Sequence, residues 1–369
     1  MRSIIYVGMD VHTTSYTLCC YSAEKDDCFA VIQVAPDFKN ILKYLDQVRK
    51  NYNGEVEFLC GYEAGCLGYT LYHQLTNHDV DCVILAPSTM PQSKKREIKT
   101  DKRDAMKIAK CLAYRNYSAV YIPTEEDNAV KEYIRMRNDT KDTLKRIKQQ
   151  LLAFCLRYGK RYGEGNNWTR KHLAWLKGLN FDNALLQETF QEYLTLYYQA
   201  ADKIDLFDKR IEELSCRESY EEKVKKLTCF IGIRHHTALA TIVETGDFRR
   251  FKTAQQYSAF LGLVPGEDSS GESIRRTGIT KSGNSHVRKL LVEAAQCYSR
   301  GEVGKKSKTL LNRQAGNDPK VIAYADRANE RLKRRCYKIM FRSKRNIAVT
   351  AVARELACFI WGMMTDNIS

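Results

Sequence analysis

The chain has 369 residues, 44% hydrophobic and 28% charged, and its 60 Lys and Arg exceed 44 Asp and Glu by a formal charge of +16. That is apolar material for two or three ordinary cores, and a cationic excess of this size points to a polyanionic partner, because each phosphate met by a cation releases condensed counterions. Thirteen cysteines with no CxxC pair and no zinc-type Cys/His spacing fit reduced thiols rather than a disulfide framework; the apolar run at the N-terminus is too short for a signal peptide and no later stretch reads as a membrane span, so the expectation is a soluble, cytoplasmic protein with no membrane partner.

In chain order, "SIIYVGMDV", "SYTLCCYSA" and "CFAVIQVA" are β-rich runs separated by short polar links, as in a three-stranded meander. "PDFKNILKYLDQVRKNY" places Phe38, Ile41, Leu42 and Leu45 at helical steps. A strand and turn at "VEFLCGYEAG", a helix at "CLGYTLYHQLTNH", a short strand at "DCVILAP" and a helix at "DKRDAMKIAKCLAYR" follow. The order βββαβαβα over residues 1–124 predicts a mixed sheet flanked by helices.

Residues 125–227 change texture: Val130, Ile134, Leu144, Ile147, Leu151 and Phe154 recur at three- and four-residue steps, then a break at "GKRYGEGNNWTR" precedes a second helical tract beginning "FDNALLQETF". Two long amphipathic helices around a break predict an antiparallel coiled-coil arm. Residues 228–369 open with a helical hairpin around "GIRHHTA" and continue through the loop "GEDSSGESIRRTGITKSGN" into a helix at "SHVRKLLVEAAQCYSR". A basic tail, "RLKRRCYKIMFRSKRN", then leads to an apolar-faced helix, "IAVTAVARELACFIWGMM", expected to pack back on the core.

Four acids stand where a metal site wants them. Asp10 ends the first strand, Glu63 follows the strand "VEFLCGY", and Asp101 and Asp104 share one helix face by their three-residue step. Hard oxygen ligands so clustered suit Mg²⁺, and two such ions roughly 4 Å apart clamp a phosphodiester for in-line displacement. Taken singly, each acid reads as a turn or cap residue. In the serine-rich loop, Ser282 or Asn284 reads as a helix cap, and Arg275, Arg276, Lys281 and Arg288 as backbone-phosphate ligands.

The segments "GMDVHTTSY", "GYEAG", "KTDKRDAMKIA", "GDFRRFKTAQQYSAFLGLVPGEDSSGESIRRTGITKSGN" and "RKLLVEAA", in that order, resemble the DEDD transposases of the insertion sequence 110 family over nearly the whole chain. The resemblance implies an α/β plus α architecture: an RNase H-like (RuvC-like) domain at 1–124, a coiled-coil arm at 125–227 and a mainly helical C-terminal transposase domain at 228–369. It places the family's acidic tetrad on Asp10, Glu63, Asp101 and Asp104, and its serine, which forms a covalent phosphoserine link to cleaved DNA, within "EDSSGES". Ser270, directly before Gly271, is favoured; Ser269 is the near alternative. A free serine is a weak nucleophile, so the expectation is that Mg²⁺ held by the tetrad activates Ser270 across a site closed between domains or subunits. The implied partners are donor and target DNA, a bridge RNA that guides base choice, and further copies of the chain as dimers pairing into tetramers. Absence of a GxxxxGK[ST] segment agrees with rejoining driven by the serine ester rather than ATP. Two other readings stand beside this one: a RuvC-like nuclease that hydrolyses branched DNA with water, needing the acids but no serine, and a basic RNA-binding scaffold needing neither.

Overall fold

The period-two runs at the N-terminus form β1 (Ser3–Val11), β2 (Tyr16–Ser22) and β3 (Asp27–Val34), successive antiparallel neighbours. Asp37, accepting a hydrogen bond from the Lys39 amide, caps α1 (Phe38–Asn51). Then come β4 (Val56–Glu63), α2 (Thr70–Thr76), β5 (Asp81–Leu85) and α3 (Asp101–Ala113). In this computed structural model, which describes residues 3–52, 54–65, 67–90, 100–267 and 276–368, the five strands make one mixed sheet in the order β3-β2-β1-β4-β5, with β4 parallel to both β1 and β5. Strand alternation gives the sheet two apolar faces. Ile5, Val7 and Met9 with Phe58, Cys60 and Tyr62 bury against Ile41, Tyr44 and Leu45 of α1 and Leu71 and Leu75 of α2. On the other face, Leu85 lies under Ile108 and Leu112 of α3. Helix α2 is shorter than its sequence pattern, since Gly68 just before it takes a left-handed conformation (φ 59).

The chain divides into two compact units, Met1–Ile122 and Pro123–Ser369. The second is nearly all helix. Its long helices α4 (Glu125–Arg157) and α6 (Ala184–Ser215) run antiparallel, joined by a two-pronged Arg137–Asp208 pair (2.7 and 2.8 Å) near one end and by Phe154 against Phe190 near the other. Between them lies α5 (Arg170–Lys177), too short for periodicity to reveal, with His172 and Leu176 buried. The remaining elements are α7 (Glu218–Thr228), α8 (His235–Thr245), α9 (Ala254–Phe260), the hairpin β6 (Pro265–Glu267) and β7 (Arg276–Ile279), α10 (Ser285–Ala295), α11 (Lys308–Gln314), α12 (Pro319–Met340) and α13 (Arg345–Met364).

Two sequence readings change in this unit. The stretch read as a basic tail is mostly helix α12, whose Val321, Ala325, Ala328, Leu332 and Cys336 are buried at three- and four-residue steps beneath its charges. Helix α13, by contrast with the reading of no span-like stretch, is long and apolar enough to cross a membrane by length and composition. Its Ala348, Val352, Leu356 and Ile360 are instead wholly buried in the same apolar core as α8, α10 and α12, so it is the central helix of that core. Every described cysteine is free.

Candidate active site

The carboxylates are placed by sheet register. Strands β1 and β4 are parallel, with Met9 beside Tyr62; one further step sets Asp10 and Glu63 at the C-terminal ends of adjacent strands, where open α/β sheets receive ligands. Alternation turns Gly8 and Asp10 away from the α1 face and toward α3. Gly8 and Gly61 are direct cross-strand partners, and both lie under α3. A Cβ on Gly8 would overlap the Ala105 carbonyl oxygen and the Ala109 nitrogen, and one on Gly61 would stand 2.8 Å from Leu112 Cδ2. Lacking side chains there, the two strands let α3 settle directly on the sheet. The helix begins at Thr100, whose hydroxyl caps it by accepting from the Arg103 amide. Asp101 and Asp104 fill the first turn, where the helix dipole favours anions.

The result is a cluster at the end of β1. Among the described residues, Asp10, His12 and Asp101 form the group whose potential ligand atoms all lie within 4.8 Å of one another. His12 Nε2 is 3.2 Å from Asp10 Oδ2, and the Asp10 side chain is 16% exposed. Burial pushes the Asp10 carboxyl above its ordinary value; His12 opposes this, while the charges of Asp101 and Asp104 add to it. The structure thus brings Asp10 and Asp101 together, sets Asp104 within electrostatic reach, and leaves Glu63, exposed at its strand end, outside the tight group. His12 was not singled out from sequence. Its signal was there: on an extended strand a two-residue step from Asp10 points the same way, and a tight turn closed by His12 N donating to Ser15 O at 3.0 Å holds it. Crowding of carboxylates is what a divalent cation relieves, and two carboxylates with an imidazole are donors such ions accept. The residues therefore fit a divalent metal.

The second unit carries the serine loop. Ser269, Ser270 and Arg275 lie outside the described residues. The stems of their loop are β6 and β7, antiparallel with Pro265 opposite Ile279 and Glu267 opposite Arg276. After β7 the "TKSGN" turn is tied down by its backbone. Lys281 and Gly283 adopt left-handed conformations (φ 56 and 77), Lys281 N donates to Gly262 O at 3.1 Å, and Gly262 and Gly283 each have backbone where a Cβ would project. Of the two cap candidates it is Asn284 that caps α10, accepting from Val287 N at 3.0 Å. Its amide donates to Glu244 Oε2 at 2.8 Å, and Arg135 grips the same carboxylate through Nε and Nη2 at 2.8 and 3.0 Å. Burial works against ionisation of Glu244, but the hydrogen bonds from Arg135 and Asn284 outweigh it and hold the carboxyl below its ordinary value. Arg288 donates from Nη1 to the carbonyls of Leu261 (2.9 Å) and Ser282 (3.2 Å), so it fastens the turn to the end of α9; Lys281 is exposed.

Known proteins place this geometry. A DEDD-type model of the insertion sequence 110 group, described as "Transposase", matches residues 7–159, and the model "Transposase IS116/IS110/IS902 family" matches residues 224–309. The chain is 35% identical over 306 residues to the "Putative transposase y4qE" of Sinorhizobium fredii, covering 83% of this chain and 75% of that protein. It is 32% identical over 335 residues to the "Transposase for insertion sequence element IS1533" of Leptospira borgpetersenii, covering 90% and 95%. A Coxiella burnetii "Transposase for insertion sequence element IS1111A" is 24% identical over 268 residues. With the first match covering the Asp10–Asp101 cluster and the second spanning the serine loop, the chain belongs to the IS110 family of insertion-sequence transposases, enzymes that act on DNA.

Proposed function

We propose that this transposase cleaves and exchanges DNA strands through a covalent 5′-phosphoserine on Ser270, with Mg²⁺ held by Asp10, Glu63, Asp101 and Asp104. Bound there, the metal supplies Lewis-acid stabilisation of the charge that builds on the phosphodiester. Ser270 Oγ attacks phosphorus, the bond from phosphorus to the 3′-oxygen breaks, and the serine proton ends on the departing 3′-hydroxyl. A 3′-hydroxyl of another strand reverses the step, so no ATP is required. Residues 1–124 act as an RNase H-like (RuvC-like) metal domain, 125–227 as a coiled-coil arm for assembly of dimers into tetramers, and 228–369 as the serine-bearing domain. A bridge RNA supplies base choice by pairing, and the reaction takes place in the cytoplasm on nucleoid DNA.

The observation that supports this reading most is the Asp10–Asp101 cluster at the strand end, held there by a helix that rests on Gly8. A second reading draws on the same cluster, since it assembles without any serine: hydrolysis by water, as in a RuvC-like nuclease. A trapping assay separates the two. Labelled donor and target DNA, Mg²⁺ and RNA transcribed from the element's flanks are incubated with wild type, Ser270→Ala, Ser269→Ala and Asp10→Asn, and resolved under denaturing conditions. The phosphoserine reading expects a covalent adduct that needs RNA and vanishes in Ser270→Ala and Asp10→Asn. An adduct that persists in Ser270→Ala sinks the serine assignment, and cleavage with no adduct in any sample establishes the nuclease.

A further inference from the structure

The turn joining α12 to α13 presents an uncovered aromatic ring among unneutralised cations. Phe341, the C-cap of α12, is 90% exposed. A single exposed hydrophobic side chain is ordinary; its setting is not. Lys338, Arg342 and Lys344 around it are exposed, and no acidic residue occurs between Glu330 and Glu355. Both of those acids are already engaged, Glu330 by Arg334 and Glu355 by Arg331 and Arg335. The mount is rigid, because Leu332 and Cys336 of α12 and Val349 and Val352 of α13 are buried in one core. Just beyond the turn, Ile347, Thr350 and Arg354 of α13 face Pro265, Ile279 and Lys281 across an apolar groove of about 470 Å³ at the foot of the β6–β7 hairpin.

We propose that Phe341 is a stacking platform for an unpaired base of a nucleic-acid strand, whose flanking phosphates are held by Lys338, Arg342 and Lys344 and whose path continues along the groove toward the hairpin. An aromatic ring stacks on the π-face of any base, and cations beside it neutralise the backbone on either side. The charge selects this occupant over a peptide or a second copy of the turn, because Lys338, Arg342, Lys344 and Arg345, with no acid among residues 331–354 and Glu330 and Glu355 engaged elsewhere, repel another such surface and attract phosphate. The inference rests on the chain binding nucleic acid, as its family membership and net charge imply.

The test uses the full chain and 2-aminopurine-labelled single-stranded DNA, single-stranded RNA and a matched DNA duplex, with affinities measured at several salt concentrations. Phe341→Ala is expected to weaken binding to a single strand by about 5- to 100-fold, the range set by one base–aromatic stack, with the salt slope unchanged. Phe341→Trp keeps the affinity, and Arg342→Gln and Lys344→Gln each reduce the single-strand slope by about 0.7. Whichever of the DNA and RNA arms shows the Phe341 effect names the source of the base. Equal affinities for wild type and Phe341→Ala, an equal loss on duplex, or binding of the turn to anionic lipid vesicles in place of oligonucleotides overturns the proposal alone. Failure of wild type to bind any oligonucleotide overturns it together with the functional reading beneath it.

Discussion

Replacing Gly8 by alanine is the sharpest test of how the fold makes the site. The new Cβ falls on backbone atoms of α3, the Ala105 carbonyl oxygen and the Ala109 nitrogen, which cannot rotate away as a side chain can. Restoring the 3.4 Å of ordinary contact requires α3 and β1 to separate by more than about 1 Å. Overpacking of this kind costs about 1–3 kcal/mol, which in a unit of this size lowers Tm by several degrees. The functional loss should be larger than the stability loss. Asp101 rides on the first turn of α3 and Asp10 on β1, so the same displacement pulls the cluster apart, and a misplacement of about 1 Å at a catalytic constellation costs on the order of 100-fold in rate. Gly61→Ala is the internal control: the atoms nearest its Cβ are the terminal methyls of Leu112 and Leu85, at 2.8–3.0 Å, and these can give way. The assay pairs thermal unfolding of the metal-free chain with Mn²⁺ affinity by electron paramagnetic resonance and with DNA cleavage rate. Gly8→Ala should be folded at 25 °C, bind metal at least about tenfold more weakly and cleave about 100-fold more slowly, with Gly61→Ala near wild type in both. A Gly8→Ala protein with wild-type metal affinity and cleavage would falsify the claim that close helix–sheet approach builds the site.

His12→Ala should weaken Mn²⁺ binding by at least about tenfold without lowering Tm, since the imidazole is half exposed and its side-chain hydrogen bond is to Asp10; unchanged affinity would make the contact a surface hydrogen bond and nothing more. Glu244→Gln should destabilise the second unit by about 3 kcal/mol, the low end for a broken buried pair because Arg135 is 34% exposed. The folded state holds Glu244 below its ordinary pKa, so its contribution is complete above the unfolded value and lost as pH falls through the folded one. Denaturation midpoints of wild type and Glu244→Gln should therefore converge below about pH 4, and a gap that stays constant in acid would contradict the ion-pair account.

Much of the first unit was legible because its signals are local. Strand alternation and the spacing of Phe38, Ile41, Leu42 and Leu45 give the element order, and of the four acids read from sequence Asp10 and Asp101 meet in one cluster. Where the reading fell short, a local cue was overridden by context. In α12 the arginines and lysines masked an apolar step that runs from Val321 through Ala325, Ala328 and Leu332 to Cys336. Helix α13 was expected to pack back on the core and does so; what its sequence alone did not exclude is a span, because a helix apolar over most of its surface reads as either until its neighbours are known. Asn284 was recognisable as a cap, but not that its amide also anchors a buried carboxylate, because Arg135 and Glu244 come from α4 and α8, far apart in sequence.

The glycines hold a signal that composition cannot carry and spacing can. Both parallel strands read Gly, one residue, then acid: Gly8-Met9-Asp10 in β1 and Gly61-Tyr62-Glu63 in β4, in matching register. A two-residue step on a strand keeps one face, so each acid stands on the side its glycine leaves bare, one position nearer the C-terminal end. On β1, where α3 rests on Gly8, the first turn of the helix brings Asp101 to Asp10. Glycine alone in a strand weakens it, and an acid alone at a strand end is a cap. Paired across neighbouring parallel strands, the two define where a helix docks and where its N-terminal side chains must end. In this chain those side chains are Asp101 and Asp104, and it is Asp101 that joins Asp10 in the candidate site.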